Sequence, residues 1–127
     1  MRTFLITTQK CMKKSKLKLP STIDISYHTI KLELLKPEIS LEVGDQQGSY
    51  VARDQIIYLD SSIIEQGGAR GVSLVLHEIG HAIYYVFNLK DRDEEPVVDS
   101  FANAYTEVLR RNKKLTKWIV ANLHGKF

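Results

Sequence analysis

Residues 70–88 read RGVSLVLHEIGHAIYYVFN. The stretch is apolar almost all round, the pattern of a helix buried at the centre of a domain. At about 100° per residue, His77 and His81 fall within about 40° of each other on one face. Ser73 and Tyr84 share that face. Val75, Ile79, Ala82 and Val86 point the other way, toward a core. Glu78 stands one step round from His77. Gly80, between the histidines, removes bulk where another helix or a ligand must come close.

Two imidazoles and a carboxylate on an otherwise apolar helix are costly to bury without partners. A plain alternative is that they hydrogen-bond their neighbours. A metal ion satisfies them better, since imidazoles one turn apart can converge on a single centre. Zinc held by neutral imidazoles lowers the pKa of a bound water toward about 7. A glutamate placed beside that water can take its proton and pass it to a leaving amine. The spacing H-E-x-x-H thus predicts His77 and His81 as zinc ligands and Glu78 as general base.

The flanking sequence sets the helix in context. Residues 22–35, TIDISYHTIKLELL, read as one strand or two, and Pro37 interrupts the region. LEVGDQQGSYVARDQIIYLDSS reads as a hairpin or meander punctuated by Gly44, Asp45 and Gly48. In QIIYLD, Ile57 and Leu59 face one side, Ile56 and Tyr58 the other. TFLITT near the start is a further possible strand. After the histidine helix, Asp93 is a candidate N-cap for a second helix running to about Asn112, with Glu94, Glu95 and Pro96 suited to its first turn. Thr116 to Leu123 suggest a short third helix. Strands first and helices after predict an α+β fold, and 127 residues suffice for one domain, 1–127.

A catalytic zinc usually has three protein ligands and an open position. Position 87 holds Phe87 rather than a third histidine of the same helix, and His28 and His124 are distant in sequence. Glu95 and Asp99 lie one turn apart on the second helix, sharing a face with Ala102 and Thr106. HEIGH followed by Glu95-x-x-x-Asp99 resembles the gluzincin metallopeptidases. That resemblance implies Glu95 as third ligand and Asp99 as a partner that hydrogen-bonds a ligand histidine. The small size and the run DEEPVVDSFANAYTEVL resemble the minigluzincins, and the small ImmA/IrrE-type zinc peptidases of phages and mobile elements. The fold implied is zincin-like: an N-terminal antiparallel or mixed β-sheet, then an active-site helix and a second packed helix. The gap from His81 to Glu95 is shorter than in large gluzincins, which leaves Glu94 and Asp99 open as alternative ligands.

The expected function is therefore that of a zinc-dependent metalloendopeptidase acting on a peptide or protein substrate. A strand before the helix, QIIYLD with SYVAR beside it, is expected to bind an extended peptide by its edge. Tyr84 is the expected donor to the oxyanion, chosen from Tyr84, Tyr58, Tyr105 and His124. The alternative is a zinc-containing regulatory module that acts with a repressor-type partner and has little peptidase activity.

Composition bounds these readings. Hydrophobic residues make up 43% and charged residues 26%, too apolar for a disordered chain. A net charge of +3 is weak ground for nucleic-acid binding. Lys10, Lys13, Lys14, Lys16 and Lys18 read as a solvated surface segment. The single cysteine, Cys11, excludes an intrachain disulfide and suits a reducing cytoplasm. No apolar run approaches the length that spans a bilayer.

Overall fold

Short β-branched runs build the first half of the protein. The computed structural model describes residues 17–42, 47–90 and 93–125. The TFLITT stretch, Cys11 and the lysines from Lys10 to Lys16 lie outside the described residues. Thr22–Ile25 (β1) and His28–Leu35 (β2) form an antiparallel hairpin, so residues 22–35 are two strands. Ser26 takes a positive φ of 57° at the tip. Gly48–Val51 (β3) and Ile56–Asp60 (β4) form a second antiparallel hairpin. β2 and β4 lie parallel, giving a mixed four-stranded sheet ordered β1-β2-β4-β3.

Pro37 opens a helix rather than a loop: Pro37–Glu42 (α1) joins the two hairpins. Its fixed φ suits the first helical position, where no N–H is needed. A second short helix, Ser61–Gln66 (α2), follows β4 without a gap. The Asp60 carboxylate makes that possible by accepting from the backbone N–H groups of Ser62 and Ile63 at 2.9 and 3.4 Å.

Gly67 and Gly68 both adopt positive φ, 69° and 70°, and turn the chain into the long helix Gly68–Val86 (α3). α3 ends in a Schellman arrangement. Asn88 is left-handed at φ 51°, its N–H reaches the Tyr85 carbonyl, and the Leu89 N–H reaches the Tyr84 carbonyl at 3.0 Å. Glu94–Arg111 (α4) begins after Asp93 as expected, although the Asp93 side chain makes no capping bond. Lys113–His124 (α5) is the last described element and is longer than the sequence suggests.

The later helices pack on one face of the sheet. Ile23, Ile25, Ile30, Leu32, Ile57 and Leu59 pack against Val72, Val75, Ile79 and Ala82 of α3, and against Val108, Leu115 and Trp118. Ile57 and Leu59 are buried while Ile56 and Tyr58 are not, as the alternation predicts. Each buried Ile or Leu contributes about 1.5–3 kcal/mol of transfer free energy, which fixes the roll of α3 about its axis. Its non-core face is thereby committed to the cleft described below.

The two sheet edges differ. β1 is tied down: the Asn112 side chain pairs with the backbone of Asp24 at 2.9 Å in both directions, and Arg111 donates to the Ser26 carbonyl at 2.6 Å. β3, at the other edge, has no such cover among the described residues. No helix of the described residues is long and apolar enough to cross a membrane.

Candidate metal centre and cleft

His77 and His81 leave the same face of α3, one turn apart, and both are exposed. Their rings meet edge to face with centroids 4.8 Å apart. The two Nε2 atoms are 3.2 Å apart. Two zinc–nitrogen bonds of about 2.0–2.1 Å at a tetrahedral angle would hold their nitrogens roughly 3.3–3.4 Å apart. The separation of the two nitrogens is thus close to that of two positions on one ion, and it is also that of a hydrogen bond between the rings.

Glu78 lies against β3 and lines the same cleft as the pair. It is only 4% exposed. Burial pushes its carboxyl above the usual carboxylate range, with the neighbouring His77 and His81 pulling the other way. Gly48 of β3 is the reason the side chain fits. A β-carbon at Gly48 would lie 3.1 Å from both Cγ and Oε2 of Glu78, and 3.0 Å from the Tyr58 carbonyl. Gly48 is thus a strand residue under steric demand from Glu78 as well as hairpin punctuation.

Between β3 and α3 lies an open cleft of about 970 Å³. Gln47, Gly48, Ser49 and Tyr50 line one wall, and Arg70, Ser73, Leu74, His77, Glu78, His81 and Tyr85 the other. Tyr50 and Tyr85 meet edge to face across it, centroids 6.2 Å apart. The edge strand at the cleft is thus β3, within the SYVAR stretch. QIIYLD, expected to present the edge, is β4 and lies inside the sheet between β2 and β3.

The register shows which groups β3 leaves free. The Asp60 N–H donates to the Gln47 carbonyl at 2.8 Å. Pairing continues through Gly48–Leu59, Ser49–Tyr58 and Tyr50–Ile57. In an antiparallel ladder inward and outward residues alternate. Ser49 and Val51 therefore bond to β4, while Gly48 and Tyr50 turn their N–H and C=O groups to the open edge.

α4 packs on the opposite flank of α3. A β-carbon at Gly80 would sit 3.1 Å from the Tyr105 hydroxyl and 4.0 Å from Phe101, so Gly80 admits the second helix as its placement suggests. Tyr105 donates to the Leu76 carbonyl, the residue before His77. Burial raises the pKa of its phenol.

The expected third ligand lies on a neighbouring face of α4. Phe101 and Tyr105 form the contact line of α4. Glu95, Asp99, Ala102 and Thr106 do share a face, as the spacing predicts, but all four are exposed. Among the described residues no three His, Cys, Asp or Glu side chains converge as a metal-holding group. Glu94 falls within about 20° of the Phe101 line and is also exposed. Tyr84 is 43% exposed and does not line the cleft, whereas Tyr85 does. His124 is exposed at the end of α5.

Sequence reasoning missed Gly48, Arg70 and Tyr85. Arg70 and Tyr85 carried a signal, since both fall on the cleft side of α3 at helical spacing from His77. Gly48 carried none until the strand was placed. Comparisons with protein-family models, with curated proteins and with solved structures return no match for this chain.

Proposed function

We propose that the protein is a zinc-dependent metalloendopeptidase that cuts extended peptides bound along β3. The observation that carries the proposal is the convergence of the His77 and His81 Nε2 atoms, 3.2 Å apart, beside a buried glutamate at the floor of an open cleft. A zinc ion held there would supply Lewis acidity and acidify a water.

The chain's own groups do the remaining work. Glu78 accepts a proton from the attacking water and returns it to the nitrogen of the leaving amine. Its carboxyl is pushed upward by burial, which brings a carboxylate closer to the working range of a general base near neutral pH. Gly48 and Tyr50 offer their outward backbone groups to the substrate main chain, extending the sheet by one strand. Tyr105, bonded to the Leu76 carbonyl, and Phe101 hold α3 against α4 so that the histidine face keeps its aim.

Glu95 is the proposed third ligand, on the resemblance of HEIGH and Glu95-x-x-x-Asp99 to the gluzincins, with Glu94 and Asp99 as its alternatives. Among the described residues none of them completes a group of three with the histidines, so the third ligand rests on the resemblance alone.

Incubation of the purified protein with a proteome-derived peptide mixture, read by mass spectrometry, tests the activity. New peptide termini are expected, lost on treatment with a chelator and restored by added zinc. Intact peptides throughout, or cleavage indifferent to the chelator, would sink the proposal.

A further inference from the structure

Arg70 lies on the stripe of α3 that carries the histidines. Seven residues separate it from His77, so the two fall within about 20° of each other and about 10 Å apart along the axis. It is exposed and lines the same cleft. The ion pairs among the described residues are Arg53–Asp54 and Arg111–Glu107, so no carboxylate there neutralises Arg70. Among the described residues Glu78 is the one carboxylate in the cleft lining, and it is buried against Gly48. The facing wall offers Gln47 and Ser49, which are neutral.

A guanidinium on a concave wall, with no ion-pair partner among the described residues, presents forked donors that match a carboxylate. It also biases the cleft toward acidic ligands. β3 runs in the same direction as α3: Gly48 lies at Glu78, and Tyr50 lies at Tyr85. Arg70 therefore lies beyond the Gly48 end of β3, and a peptide that continues past that end at about 3.3 Å per residue covers the distance from His77 to Arg70 in about three residues.

We infer that Arg70 receives a carboxylate of the bound peptide about three residues from the cleaved bond, supplied by an Asp or Glu side chain or by the peptide's own C-terminus. The position relative to the bond rests on the peptidase reading above. The recognition of a carboxylate rests on the cleft alone.

The test is peptide binding to the Glu78→Gln protein, read by fluorescence anisotropy so that turnover does not intrude. The probes are short labelled peptides with both ends blocked, carrying one Asp, the matching Asn or the matching Lys, and a neutral peptide with a free C-terminus. An Asp peptide is expected to bind about tenfold tighter than its Asn twin, the scale of one hydrogen bond to a charged group. Adding Arg70→Ala should erase the gap, and adding Arg70→Glu should turn the preference toward the Lys peptide. A gain confined to the free C-terminus would assign the terminal carboxylate as the source. Equal binding of Asp, Asn and free-acid peptides, a gap that survives Arg70→Ala, or no binding by any peptide would overturn the inference. Cleavage of the same peptides by the wild type is scored separately. Binding through Arg70 without cleavage would keep the inference and reject the peptidase reading.

Discussion

Glu78→Gln is expected to lower peptide cleavage by about 10²–10⁴-fold, the contribution typical of a positioned general base. Glutamine keeps the shape and volume of the side chain beneath Gly48 but cannot take a proton from water. Zinc binding should persist, because His77 and His81 do not depend on Glu78 for their approach to each other. The same change should stabilise the metal-free protein. Burial raises the carboxyl pKa of Glu78 in the folded state, so folding favours the protonated form. The cost of burying the carboxylate is absent below the unfolded pKa of about 4.3 and grows as pH rises through the folded value. At neutral pH the metal-free Glu78→Gln protein should therefore melt above the metal-free wild type, and the gap should narrow toward pH 4.3. Melting curves across that range, with cleavage rates at neutral pH, measure both halves. Undiminished cleavage by the variant would remove Glu78 from the mechanism.

Gly48→Ala is expected to damage stability and activity together. The added β-carbon would lie 3.0 Å from the Tyr58 carbonyl and 3.1 Å from the Glu78 carboxylate arm. The carbonyl belongs to the β3–β4 ladder and cannot move alone, so either the strand shifts or Glu78 is displaced. Overpacking of this kind costs about 1–3 kcal/mol. A displacement of the proposed general base on the order of 1 Å costs up to about a hundredfold in rate. Cleavage should fall by about tenfold to a hundredfold, with a lowered melting temperature. A variant that melts and cuts like the wild type would show that β3 does not press on Glu78.

Strong periodicity made part of this protein legible. α3 was readable because its apolar residues leave only one stripe for Ser73, His77 and His81. The alternation of Ile57 and Leu59 with Ile56 and Tyr58 placed the core face of β4. α2 was hidden because six residues, SSIIEQ, are too few to display a helical period; its one cue was Asp60 before two serines. α1 was hidden for the same reason, behind a proline that reads as an interruption. Which strand forms the open edge is a matter of long-range pairing. Local pattern cannot distinguish β3 from β4 on that point, so the cleft strand was assigned one hairpin arm away from its place. The Glu95–Asp99 face was read correctly as a shared face. Its direction depends on Phe101 and Tyr105 meeting Gly80, a contact between helices that spacing along one helix does not encode.

The central claim is that His77 and His81 hold a metal ion. Elemental analysis of the purified wild type beside His81→Ala tests it most directly, with Glu95→Ala run in parallel to assign the third ligand. The account predicts close to one zinc per wild-type chain and a large loss in His81→Ala. Absence of metal from the wild type, or zinc retained in full by His81→Ala, would contradict it and leave the 3.2 Å approach of the two imidazoles as a hydrogen bond between neighbours.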